Sequence, residues 1–268
     1  MGVTPMDSDK RILDIDQGVN FRDLGGYQAA GGRTTCWKKL IRAGALSNLT
    51  PPDQQLLTDY GISTVIDLRS PYELKQYPDK VPFSCKYIHL PIFNDDETES
   101  QTNNQELQKA YSADPRSGYL RMLYVYRRMI VDPQPQAAYR HFFDYLLVHG
   151  ADETILFHCS AGKDRTGILA VLLLDALGVD SQTVRRDYLM TNPASIRRID
   201  LRIQNAKQSR KGPAFVSSVH DLSTVSDDYF DQAMIIVNEV YGGVRAYLRD
   251  VVGIDKDMMA ELRQIYTE

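Results

Sequence analysis

Along the chain, short runs of β-branched and aliphatic residues alternate with longer stretches in which apolar residues recur every three or four positions. LIRAGAL (40–46), TVIDLR (64–69), YIHLPI (87–92) and TILFHC (154–159) are bounded by Gly, Pro or Asp and read as buried strands. Between them, PPDQQLLTDYG (51–61) predicts a short helix with Pro at its start and a Gly stop, and AAYRHFFDYLLV (137–148) predicts an amphipathic one. Thr166 to Leu177 is apolar almost all round and ends at Gly178, the pattern of a central helix buried on every side. Helices are also expected over SQTVRRDYLMTN, with Ser181 as N-cap, and over 227–240 and 256–266. The polar, acidic stretch NDDETESQTNNQELQ (94–108) reads as a mobile surface loop. The alternation predicts an α/β fold, a mostly parallel central sheet flanked by helices, in one domain over 1–268 without internal repeats.

Composition narrows this little. The 268 residues are 43% hydrophobic and 25% charged, ordinary for a soluble globular chain. A net charge of -4 argues against a general nucleic-acid or anionic-membrane surface and leaves local anion sites open. Cys36, Cys85 and Cys159 form neither a disulfide framework nor a CxxC pair, which suits a reducing, cytoplasmic setting. The N-terminal stretch lacks the apolar core of a signal peptide, no apolar run reaches membrane-spanning length, and Met6 stands where a myristoylation motif needs Ser or Thr. Export by a route without a signal peptide stays open.

The chemistry concentrates in HCSAGKDRTG, His158 to Gly167, which turns from a strand into a helix N-terminus. Successive backbone N–H groups and the positive end of a helix dipole meet in such a turn, so Ser160, Ala161, Gly162, Lys163, Asp164, Arg165 and Thr166 form a cradle for an anion of the phosphate or vanadate type. In that field Cys159 becomes a thiolate at neutral pH and a nucleophile. Arg165 can return across the loop to grip two phosphate oxygens with its planar fork. Gly162 permits close backbone approach, and the Thr166 hydroxyl can donate to the sulfur. A lone buried Cys before a helix is more often an inert apolar residue, but here Gly, Arg and Thr follow at the offsets that phosphoryl transfer to sulfur requires.

Cys-(five residues)-Arg-Thr resembles the phosphate loop of the cysteine-dependent protein tyrosine phosphatases. With NFRDLGGY (20–27), DLRSPYE (67–73), DYLMTN (187–192) and YGGVRAYLRD (241–250), it resembles their bacterial atypical group, related to the mycobacterial secreted phosphatase PtpB, from Asn20 to the C-terminus. The resemblance implies the protein tyrosine phosphatase fold of dual-specificity type, Cys159 as nucleophile, Arg165 as phosphate binder and residues 160–164 as cradle, and it requires no metal or cofactor. It also implies phosphorylated proteins as substrates, phosphotyrosine first and phosphoserine or phosphothreonine next. Lys163 keeps a phosphoinositide substrate as the alternative, through a second cation projecting toward the pocket mouth, although Ser160 stands where lipid phosphatases usually carry another basic residue. A catalytically dead phosphate-reading module is disfavoured because Cys159 and Arg165 are both present, and a sulfur transferase loop lacks the GKDRTG continuation.

The proton donor is the open point. Asp164, beside a dianionic phosphate and a thiolate, is either held by a cation or protonated by its neighbours, and in the second case it can donate to the leaving oxygen. Asp164 is the preferred acid, ahead of Asp95 and Asp96 and then Asp132. His158 is expected to shape the loop, Arg69 to tie neighbouring loops through carboxylates, and Arg22 with Asp23 to flank a Gly-Gly turn. The basic run 196–211 reads as a solvated helix face, with a lid over an anionic substrate as the second reading.

Overall fold

The structure, a computed structural model, describes residues 11–98 and 105–268. Its sheet contains β1 (Arg22–Asp23), β2 (Leu40–Ala43), β3 (Thr64–Asp67), β4 (Lys86–His89) and β5 (Ile155–His158), in the order β1-β2-β5-β3-β4. β2, β5, β3 and β4 run parallel, while β1 adds an antiparallel edge beside β2. All four expected strands are present, each four residues long. β1 has only two residues, too short to leave an alternating pattern, and pairing with β2 is what makes it a strand.

The pleat sends alternate residues to opposite faces. Leu40, Ile66, Ile155 and Phe157 join a large core, whereas Ile41, Ala43, Val65 and Leu156 join a smaller one. α1 (Pro51–Tyr60) covers the smaller side through Leu57; a Thr50–Asp53 capping box starts it and left-handed Gly61 (φ 101°) stops it. The larger side carries α4 (Ser117–Val131) and α5 (Pro133–His149), preceded in the chain by α2 (Pro71–Gln76) and α3 (Gln105–Ala113). At its centre lies α6 (Arg165–Leu177), buried along its whole length except at Asp175, as its apolar circumference predicts. The chain continues through α7 (Ser181–Leu189), α8 (Thr191–Ala194), α9 (Ile196–Gln208), α10 (Pro213–Asp221), α11 (Asp227–Tyr241), α12 (Val244–Tyr247), a π-turn over 248–252, and α13 (Lys256–Tyr266).

Two local expectations are corrected. Asp180, not Ser181, caps α7, because its carboxylate reaches the amides of both Gln182 and Thr183. The stretch 94–108 is not one loop: residues from Gln105 on belong to α3, and Glu97 is fastened to α4 by Arg121 at 2.7 Å and Arg128 at 2.6 Å. The remainder, 99–104, lies outside the described residues.

In the sheet register, Ala43 and Asp67 both stand beside His158. The chain leaving the central strand β5 therefore emerges between the loops that follow β2 and β3, at the carboxyl edge of the parallel strands, where such sheets bind ligands.

Candidate active site

Cys159 to Asp164 form the turn between β5 and α6, and its shape follows from where the carbonyls go. The Ser160 carbonyl accepts from the Ala45 amide (3.3 Å), the Ala161 carbonyl from Asn20 Nδ2 (3.3 Å), and the Gly162 carbonyl from Asn20 Nδ2 and Arg42 Nη2, both at 2.8 Å. With its carbonyls bonded outward, the loop turns its N–H groups toward the concavity at the N-terminus of α6. Gly162 has φ +65°, and a Cβ there would collide with the Ala43 carbonyl.

The blocks NFRDLGGY and DYLMTN meet on the outer side of this loop. Asp187 accepts from Arg42 Nη1 (2.6 Å) and the Tyr27 hydroxyl (2.9 Å), and Arg22 pairs with it and hydrogen-bonds Asn20. All five side chains are buried. Arg22 thus serves a buried network, while Asp23 orders the turn by accepting from the amides of Gly25 (2.7 Å) and Lys38 (2.8 Å). Arg42, in β2, was invisible to sequence reasoning, because an Arg inside an apolar run carries no sign of a partner 145 residues away.

Within the concavity, burial raises the Cys159 pKa, but the charge of Arg165 and hydrogen bonding from the Thr166 side chain and amide outweigh it, and the net shift is downward. The Thr166 hydroxyl makes no hydrogen bond to oxygen or nitrogen and is left for the sulfur. Arg165 is held by Glu73, with Nη1 to Oε2 at 2.6 Å and Nη2 to Oε1 at 2.8 Å. Ser160 donates its hydroxyl to the same carboxylate, and Thr98 accepts from Arg165 Nη2 at 3.0 Å. The fork is thereby oriented with its buried Nε still without a partner.

Glu73 was also missed. It is the third residue of α2 and forms a capping box with Ser70, so the Ser-x-x-Glu spacing announces a helix start and conceals the second duty of the carboxylate.

Lys163 and Asp164 are directed at each other. Lys163 Nζ lies 2.8 Å from Asp164 Oδ1 and 2.7 Å from Oδ2, and Oδ1 also accepts from the Tyr126 hydroxyl (2.9 Å), itself hydrogen-bonded by Tyr188 (2.7 Å). Both residues are 1% exposed. Lys163 therefore does not project toward the pocket mouth. Both oxygens of Asp164 thus face the Lys163 ammonium, so a cation does hold this carboxylate.

The other acid candidates separate clearly. Asp96 has its side chain almost fully buried, 3.9 Å from Arg165 Nη2, and accepts from the Thr98 hydroxyl (3.2 Å). Asp95 is exposed. Asp132 pairs with Arg128 Nε at 2.7 Å, at the junction of α4 and α5.

Behind the loop, Arg69 Nη2 bridges Asp67 (2.7 Å) and Asp79 (2.6 Å), and Nη1 donates to the Tyr77 carbonyl (2.8 Å). His158 Nε2 lies 3.1 Å from Asp79, and Nδ1 approaches the Cys159 carbonyl at 3.2 Å. Asp67, Asp79 and His158 converge closely enough to suggest a metal site, but the cation they face is Arg69. Arg69 and His158 therefore buttress loops, as expected of both. From the basic run, Arg198 and Arg202 of α9 face the site. Burial draws the Arg198 pKa down to about 10 and Arg202 adds to the drop, while Cys159, Asp164 and Asp96 oppose it. Arg197, Asp200 and Leu201 form the solvated side of the same helix.

A profile described as the tyrosine phosphatase family matches residues 13–268. A Cupriavidus necator protein assigned by name to the tyrosine-protein phosphatases is 30% identical over 257 residues, covering 95% of this chain and 88% of its own. The triple specificity protein phosphatase PtpB of Mycobacterium tuberculosis is 28% identical over 281 residues, covering 95% and 98%. A tyrosine-protein phosphatase of Nostoc commune is 32% identical over 151 residues, covering 56% and 47%. Among the described residues no helix is long and apolar enough to cross a membrane. With the family's loop at the carboxyl edge of a parallel sheet and the family's profile spanning nearly the whole chain, this protein belongs to the tyrosine phosphatase family, as a protein-tyrosine phosphatase.

Proposed function

We propose that the chain hydrolyses phosphotyrosine in proteins, with phosphoserine and phosphothreonine as further substrates, through a phosphate covalently held on Cys159. The observation that carries this reading is the Cys159–Arg165 pair: a sulfur whose pKa is drawn down at the base of a cradle, facing an arginine whose fork is oriented by Glu73 and whose Nε has no partner. The thiolate attacks phosphorus, forming the S–P bond as the P–O bond to the leaving group breaks. The leaving oxygen takes a proton from a carboxylic acid, which we assign to Asp96, 3.9 Å from Arg165 Nη2. Water then attacks phosphorus, gives its proton to the same carboxylate, and the S–P bond breaks to release phosphate and thiolate. The loop amides and Arg165 offset the charge throughout. Asp164 serves as the counter-charge of Lys163. The unpaired cysteines Cys36, Cys85 and Cys159 suit a cytoplasmic setting.

A phosphoinositide substrate is the second reading. It rests no longer on Lys163 but on Arg198 and Arg202, which add positive charge beside the site. The name triple specificity, carried by the mycobacterial relative, fits a site that accepts more than one kind of phosphate ester.

The test is a panel of phosphotyrosine, phosphoserine and phosphothreonine peptides and phosphoinositides, assayed in EDTA with wild type and Cys159→Ser. Wild type should turn over phosphotyrosine peptides fastest, be inhibited by vanadate, and trap substrate without turnover as the serine variant. Loss of activity in the chelator, or unchanged rates for Cys159→Ser, would remove this mechanism; preference for the lipid substrates would select the second reading.

A further inference from the structure

Next to the phosphate loop lies a groove of about 190 Å³ that the catalytic cycle does not use. One wall is the N-terminal segment, where the Leu13 amide donates to the Phe21 carbonyl (3.0 Å) and Ile12 bridges Arg22 at the sheet edge. The other is the junction of α8 and α9, from Pro193 to Arg198. Its lining includes the apolar Ile12, Leu13, Val19, Pro193 and Ile196, and two of these are open to water, Ile12 at 41% and Ile196 at 52% exposure.

Two lining residues join the groove to the catalytic site: Asn20, which bonds the carbonyls of Ala161 and Gly162, and Arg198, which lies within electrostatic range of Cys159. A third points to a ligand. The Ser195 hydroxyl, on the groove wall, is buried and has no hydrogen-bond partner, and a polar group so placed costs free energy until one is supplied.

We infer that this groove receives the polypeptide flanking the phosphorylated residue, taking one large apolar side chain between Ile12 and Ile196 while a backbone amide group of the same segment bonds Ser195. The inference deepens the proposed protein phosphatase reading and rests on it. Size favours this occupant: the space is below the roughly 300–1,000 Å³ of pockets that enclose a whole small molecule, and it matches a single side chain of a larger substrate already anchored by its phosphate. Asn20, bonded to the carbonyls of Ala161 and Gly162, sets the groove beside the loop that supplies that anchor. A lipid tail would run on past this volume, whereas a flanking residue ends within it.

The test uses the full chain and phosphotyrosine peptides in which a single leucine is walked through the flanking positions of an otherwise alanine and glycine background, with p-nitrophenyl phosphate as a substrate that cannot reach the groove. Wild type should show kcat/KM about tenfold higher at one leucine position, the discrimination one large apolar side chain provides. Ile12→Ser and Ile196→Ser, both at exposed positions, should erase that preference, and Ser195→Ala should lower kcat/KM for all peptides several-fold. All three should leave p-nitrophenyl phosphate unchanged. Equal rates for every leucine position, or variants that slow the small substrate as much as the peptides, overturn the groove while leaving the phosphatase reading intact. Wild type that cleaves p-nitrophenyl phosphate and phosphoinositides but no phosphopeptide overturns both.

Discussion

Glu73 and Arg165 form a two-pronged buried pair, each carboxylate oxygen meeting one terminal nitrogen of the guanidinium, although 92 residues separate them in the chain. This pair sets the plane of the Arg165 guanidinium, which in the proposed mechanism meets the phosphate. Glu73→Gln should therefore lower kcat/KM by on the order of 100-fold through misorientation of the fork, and Glu73→Ala should also cost about 3–5 kcal/mol of stability by leaving Arg165 buried without its partner. Steady-state kinetics and urea unfolding check the two effects separately. Burial raises the Glu73 pKa, but Arg165 more than reverses this and brings it down to about 2. The stabilisation is then full above the ordinary value of 4.5 and is lost as pH falls toward 2. A wild-type pH series should show that acid limb, and the glutamine variant should show a shallower one, since Asp67 and Asp187 are also held below their ordinary range.

The assignment of the proton donor predicts a leaving-group effect. Asp96→Asn should slow phenyl phosphate far more than p-nitrophenyl phosphate, whose leaving group needs little protonation. Asp164→Asn should slow both alike, since its carboxylate is engaged by Lys163 and Tyr126. If the selective loss follows Asp164 instead, the donor lies inside the loop and the ion pair must shift its proton during the reaction.

Gly162→Ala tests the shape of the cradle. The added methyl meets the Ala43 carbonyl, and the positive φ is unfavourable for alanine. A loss of roughly 1–3 kcal/mol and of most phosphate affinity is expected, measured by thermal unfolding with and without vanadate. A protein that binds vanadate normally would show that the close approach of these two backbones is dispensable.

His158 predicts a stability loss on the alkaline side. Burial lowers its pKa, but Asp79 and then Asp67 raise it further, to a net value above the ordinary 6.5. Protonated His158 therefore contributes stability that is complete below 6.5 and disappears as pH rises through the raised value. Urea midpoints should fall over that interval for wild type. His158→Gln should flatten the slope, and an unchanged slope would place its origin elsewhere.

How much of this is legible without coordinates differs from residue to residue. HCSAGKDRTG could be read directly because a strand, a turn and a helix N-terminus are contiguous in the chain, and contiguity alone brings the loop amides, Cys159 and Arg165 together. The buried helix α6 was equally plain, since an apolar circumference has no other stable setting. The same local logic misjudged the partners of charged residues. Lys163 reads as a cation projecting toward the pocket mouth until its burial against Asp164 is seen, and no spacing announces that both Asp164 oxygens face it.

The sequence by itself determined the α/β alternation and the strand–turn–helix loop that carries Cys159 and Arg165, both of which depend on periodicity and spacing over fewer than about 20 residues. Only the tertiary structure decided that Glu73 orients Arg165, that Asn20 and Arg42 cap the loop carbonyls, and that Asp187 gathers Arg22, Arg42 and Tyr27 behind them. The physical reason is that a buried charge must find an opposite charge or a hydrogen-bond partner wherever the fold brings one. Its identity depends on which strands lie side by side, and no local pattern in the chain records that.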